Sequence, residues 1–131
     1  MSKTIAQLQA DVRAFSDERQ WGRFHSPRNL AMALSVETGE LLELFLWSED
    51  DGPQPPVAAR AEKVSDEVAD VLMCLLNFCD RSGIDLEAAL KAKLAKAAKK
   101  YPTERVKGKA LKYDEYAEWK IESVIPERSE K

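Results

Sequence analysis

The chain has 131 residues, 44% hydrophobic and 33% charged, with a formal net charge of −3. That length supports one domain with a core of its own rather than two, and that balance excludes a disordered chain. A slightly acidic charge gives no general attraction to nucleic acid polymers or membrane surfaces, and no stretch approaches the roughly 20 apolar residues that span a bilayer.

Residues 1–13 are polar and amphipathic, without the apolar run of a signal peptide, so a cytoplasmic protein is expected. Helix formers dominate and glycine is scarce, which predicts an all-α fold. Ile5, Leu8, Val12 and Phe15 recur at three-to-four spacing and predict a first helix over about residues 4–19. A connector rich in large side chains follows at 21–25. Ser26 as N-cap and Pro27 at the first helical position open a second helix, expected to run to about residue 47. Residues 48–56, with Gly52, Pro53, Pro55 and Pro56, predict a loop. A third helix is expected over about 59–81, closed by Ser82-Gly83. Asp85 caps a fourth, over about 86–100, which Tyr101-Pro102 stops. Residues 103–131 are polar, with one short helix predicted near 114–121. Cys74 and Cys79, five apart, project from different sides of a helix and read as buried free thiols in a reducing compartment.

Two acidic pairs, Glu37-x-x-Glu40 and Glu67-x-x-Asp70, sit inside the most apolar stretches. A spacing of three puts both members on one side of a helix, about 4.5 Å apart along its axis. Leu30, Leu34, Glu37, Leu41 and Leu44 form one stripe, in which glutamate holds a place an apolar side chain should fill. Val64, Glu67, Val71, Leu75 and Phe78 repeat the substitution. Such pairs are common on solvated faces, and Glu43 and Glu62 read that way. Glu37 and Glu67 do not. Like charges held this closely repel, and a cation offsets the repulsion. All-oxygen ligands favour Mg²⁺, with Mn²⁺ as a substitute. A di-iron bundle would need histidine three residues after glutamate, and the lone histidine, His25, lies in no such motif.

Magnesium held by carboxylates keeps positions open for phosphates, and the chain offers basic groups to meet them. Lys93, Lys96, Lys99 and Lys100 precede Tyr101; Lys93 shares a helix face with Leu90, Leu94 and Ala97. The plain alternative is a solvated helix whose terminal lysines favour its dipole. Lys107, Lys109 and Lys112, before Tyr113, form a second cluster. Trp21, Phe24, His25 and Trp47 flank the ends of the second helix. They serve either as packing or as aromatic faces for a stacked base.

Taken together, Trp21, the run Phe24-His25-Ser26-Pro27-Arg28-Asn29-Leu30, Glu37-Thr38-Gly39-Glu40-Leu41, Trp47, Asp66-Glu67-Val68-Ala69-Asp70-Val71 and Lys100-Tyr101-Pro102 resemble the MazG-like all-α nucleoside triphosphate pyrophosphatases. The similarity is greatest to their dCTP pyrophosphatase branch and covers about residues 8–116. It implies an oligomeric four-helix bundle and a catalytic domain over 1–116 followed by a polar tail over 117–131. It also implies hydrolysis of a triphosphate such as dCTP to the monophosphate and pyrophosphate with Mg²⁺. Glu37, Glu40, Glu67 and Asp70 match the metal ligands, with Glu40 favoured over Glu37 as the catalytic base. Trp21, His25 and Trp47 match positions that enclose the base. Lys93, Lys100 and Tyr101 match positions near the phosphates, and Lys109, Lys112 and Tyr113 match a closing segment. Two positions depart from the pattern: Ala97 replaces an asparagine, and Cys74 replaces a tyrosine of the dCTP branch. The same chemistry on dUTP or a damaged purine triphosphate, and a non-catalytic metal-binding helical module, are the alternatives. A homodimer or homotetramer is expected, since apolar residues on several helix faces would otherwise leave a patch exposed.

Overall fold

A computed structural model describes residues 1–47 and 58–110 of the chain. The described residues hold α1 (Ile5–Glu18), a 3₁₀ turn (Trp21–Arg23), α2 (Pro27–Glu43), α3 (Ala58–Ser82), α4 (Leu86–Lys100) and α5 (Thr103–Val106). There is no β-strand among them, so the expected all-α class holds. The chain divides into two compact units, Met1–Ala89 and Leu90–Lys131.

Local chemistry sets the helix starts. Thr4 and Gln7 form a reciprocal capping box: the threonine hydroxyl accepts from Gln7 N–H at 3.2 Å, and the Gln7 side chain accepts from Thr4 N–H at 2.8 Å. Ser26 accepts from Asn29 N–H at 3.1 Å ahead of Pro27, as its position in the sequence suggests. Asp85 accepts from Ala88 N–H at 3.0 Å at the start of α4. α3 ends at Gly83, whose φ of 64° is the left-handed cap, and Ile84 N–H reaches back to the Cys79 carbonyl at 2.9 Å.

Three boundaries differ from the sequence expectation. α2 stops at Glu43 rather than near 47. Its last carbonyls turn to tighter i→i+3 bonds, Phe45 to Leu42 and Leu46 to Glu43, and the Arg60 guanidinium donates to the Leu44 carbonyl at 2.9 Å. A side chain sixteen positions away thus takes the place of the next helical turn. The connector at 21–25 carries a 3₁₀ turn, entered through Gln20 at φ 54°. One helical turn at Thr103–Val106, begun at Pro102, was not anticipated. The loop expected over 48–56 and the helix expected near 114–121 lie outside the described residues.

Packing in the first unit centres on α3, which lies along α2 and also contacts α1. Leu30, Leu76 and Cys79 are its buried apolar residues. α1 is tied to α3 by polar links as well as apolar ones. Arg13 donates from two nitrogens to both Asp80 oxygens, Gln9 Nε2 donates to the Leu76 carbonyl at 3.3 Å, and buried Ser16 reaches Asn77. The outer side of α2 leaves Met32, Val36 and Leu42 exposed, Leu42 by 70%, and Leu46 in the turn after it is exposed too. No helix among the described residues is long and apolar enough to cross a membrane.

Candidate active site

Every member of the two stripes faces inward. Leu30 is buried, and Leu34, Glu37 and Leu41 on α2 and Leu44 at its C-cap are half-buried, as are Val64, Glu67, Val71, Leu75 and Phe78 on α3. The α2–α3 contact therefore carries Glu37 and Glu67 into its own seam. Glu40 and Asp70, three residues further along, emerge at the edge, exposed, and Glu43 and Glu62 are exposed as expected.

One oxygen each from Glu37, Glu67 and Asp70 lies within 4.8 Å of the others. Burial first, then repulsion from Glu40, Asp70 and Glu67, pushes the Glu37 carboxyl above the usual carboxylate range. Burial and then Glu40, Asp70, Asp66 and Glu43 push Glu67 the same way. Glu67 Oε2 is closed off from solvent and has no hydrogen-bond partner among the described residues. An acceptor in that position, between like charges, is the arrangement a cation completes. The donors are all carboxylate oxygens, so the set fits a hard divalent ion such as Mg²⁺ and not a thiophilic one.

The carboxylates border two hollows. A cavity of about 440 Å³ has Glu37, Asp70 and Cys74 at one part of its wall and Phe15, Trp21, Phe24 and His25 at another. Trp21 packs edge-on against Phe15, with ring centroids 5.8 Å apart, and against His25 at 6.5 Å. A groove of about 540 Å³ takes Glu40, Glu43 and Glu67 into its wall. Cys74 and Cys79 are both free; Cys79 is buried but Cys74 is only half-buried. Burial, with Glu37 and Asp70 nearby, pushes the Cys74 thiol up.

Not every residue expected at the site comes together. Trp47 is 93% exposed, at φ 60°, and does not line the aromatic cavity. Lys93, Lys100, Tyr101 and Lys109 belong to the second unit. Within it, Lys93 is exposed, the Lys100 ammonium lies 5.8 Å from the Tyr101 ring centroid, and Lys109 N–H donates to the Val106 carbonyl. Lys112 and Tyr113 lie outside the described residues. Conversely, Ser16, Met73 and Asn77 line the cavity without having been singled out. A signal for Asn77 was there: Glu67, Asp70, Cys74 and Asn77 recur at three-to-four spacing, a polar edge along an otherwise apolar helix.

Residues 32–116 match the MazG-like family. The chain belongs to the MazG-like family. This MazG-like chain is 39% identical over 101 residues to the dCTP pyrophosphatase 1 of Bos taurus, covering 76% of the chain and 60% of that protein. It is 38% identical over 103 residues to the Homo sapiens dCTP pyrophosphatase 1, covering 77% and 61%. The match thus spans about three-fifths of those relatives' length. The MazG-like fold also superposes on a pyrophosphatase from Archaeoglobus fulgidus DSM 4304 with a TM-score of 0.68 and 38% identity, over 78% of this chain and 95% of that one.

Proposed function

We propose that this MazG-like protein hydrolyses the α–β phosphoanhydride of a deoxynucleoside triphosphate, a pyrimidine such as dCTP, releasing the monophosphate and pyrophosphate. The observation that carries the reading is the single cavity with an aromatic part and a carboxylate part. A nucleotide needs both: flat apolar walls for the base and a cation site for the phosphates. Relatives named dCTP pyrophosphatase 1 support the pyrimidine choice.

Glu37, Glu67 and Asp70, with Glu40 at their edge, would hold Mg²⁺, with Mn²⁺ as a substitute. When bound, the ion neutralises phosphate charge and makes water a stronger acid. Glu40, exposed on the groove side, is the carboxylate best placed to orient a water and take its proton as the oxygen attacks the α-phosphorus. The bond to the bridging oxygen then breaks and pyrophosphate departs. Trp21 and His25 enclose the base. The family resemblance would add Trp47, which is exposed and outside the lining of this cavity. From the family resemblance, Lys93, Lys100, Lys109 and Lys112 would offset the charge on the β- and γ-phosphates, with Tyr101 and Tyr113 as hydrogen-bond donors to them.

The exposed Met32, Val36 and Leu42 on α2, with Leu46 just after it, support a homodimer or homotetramer, since apolar faces of this kind are covered by partners. Two free cysteines fit a reducing compartment, the cytoplasm. The deciding experiment is a panel of triphosphates, dCTP, dUTP and oxidised purines included, read for pyrophosphate release with Mg²⁺ and with chelator. Release that is confined to Mg²⁺ and fastest with dCTP supports the reading; no release from any triphosphate overturns it.

A further inference from the structure

Four polar side chains enter the wall of the aromatic cavity away from the carboxylates: Ser16, His25, Asn29 and Asn77. Asn29 is already engaged, since its Nδ2 donates to the Phe24 carbonyl at 2.9 Å. Ser16 is only 4% exposed, and its hydroxyl donates to Asn77 Oδ1 in a long bond of 3.5 Å. That bond occupies the acceptor side of the Asn77 amide. Its nitrogen, with two N–H donors, has no partner among the described residues. Asn77 stands in the α3 wall of this cavity, one turn from Cys74 and two turns from Asp70, and also borders a smaller polar hollow with Arg13, Asp17 and Asp80.

We propose that Asn77 is a specificity-determining residue, whose amide N–H donates to a ring carbonyl of the base, with Ser16 as the positioning residue that fixes the amide. Every pyrimidine base carries a carbonyl beside its glycosidic nitrogen, and adenine carries none. An uncommitted donor set for that projecting oxygen favours pyrimidines, because adenine offers at the same place only the ring nitrogen N3, which stands about one C=O bond length further back and leaves the N–H poorly paired. This inference rests on the triphosphate hydrolysis proposed above.

The test measures kcat and KM for dCTP, dUTP and dATP with Mg²⁺ on the full chain. Asn77→Leu keeps the shape and removes both hydrogen-bonding atoms. Asn77→Asp keeps the acceptor for Ser16 and removes the donor, so it carries the test should the leucine variant fail to fold. Both variants are expected to lower the ratio of kcat/KM for dCTP over dATP by about five- to tenfold, the worth of one hydrogen bond, with the change in KM rather than kcat. Ser16→Ala should lower the same ratio by a smaller factor, also in KM. An unchanged ratio in both Asn77 variants, or equal losses on dCTP and dATP, overturns the role of Asn77 alone. A wild-type chain that hydrolyses none of the three overturns the functional reading, and this inference with it.

Discussion

Carboxylate oxygens of Glu37 on α2 and Glu67 on α3 lie within 4.8 Å of each other, in the seam where the two helices pack. Two glutamates in such a place work against the fold unless something positive joins them. Their position links the proposed metal site to stability, and the link can be measured without any substrate.

Both carboxyls are raised above their ordinary value of 4.5. The folded, metal-free chain therefore keeps protons that the unfolded chain has released, and its stability falls as pH rises from 4.5 through the raised values. Thermal melts in chelator should show the melting temperature dropping over that window, apart from other titrations. Glu37→Gln removes one member of the repelling set, so it should melt higher than wild type at pH 7 in chelator, with a flatter pH profile and no hydrolysis. A lower melting temperature would mean that Glu37 has a stabilising partner in the fold.

A divalent cation should reverse the penalty. A ligand that binds only the folded state stabilises it by about 2.7 kcal/mol at a hundredfold excess over its Kd. Millimolar Mg²⁺ with a non-hydrolysable triphosphate is expected to raise the melting temperature by several degrees, and Asp70→Asn to abolish most of that rise. A melt indifferent to both additions would count against the carboxylates as a metal site.

The aromatic part of the cavity should matter through substrate affinity. Trp21 makes edge contacts with Phe15 and His25 but is itself exposed, so its loss should spare the fold. Trp21→Ala is expected to raise KM by a factor equivalent to about 1–3 kcal/mol, the scale of one base–aromatic stack. A variant that unfolds, with no change in KM where it remains folded, would make Trp21 a packing residue.

Ser26 separates stability from chemistry. Its hydroxyl caps α2, and Ser26→Ala should cost about 1 kcal/mol in denaturant unfolding, as lost caps do. Because Ser26 does not line the cavity, the folded variant should keep the wild-type KM. An altered KM would show that the cap also sets the angle at which α2 presents its residues.

Much of this arrangement was legible in the sequence because it depends on local spacing. The stripes through Glu37 and Glu67, the Ser26 cap and the Gly83 stop each follow from residues within a few positions of one another. What stayed hidden depends on distant partners. Arg60 ends α2 early by taking the Leu44 carbonyl, and no pattern around residue 44 foretells it. Ser16 reads as a polar residue on the first helix, yet it is buried because Asn77, sixty-one positions later, lies against it. Trp47 looked equivalent to Trp21 as a flank of the second helix. Once α2 stops at Glu43, Trp47 leaves the helical register and lies away from the cavity.

The most direct test of the central claim is the position of bond cleavage. If the base occupies the aromatic part of the cavity and the α-phosphate meets the carboxylates, water attacks the α-phosphorus and pyrophosphate is the charge-stabilised leaving group. Hydrolysis of dCTP in ¹⁸O-labelled water should then place the label in dCMP and release pyrophosphate unlabelled and intact. Label in free orthophosphate, with dCDP as the co-product, would contradict the account even if the reaction needed magnesium.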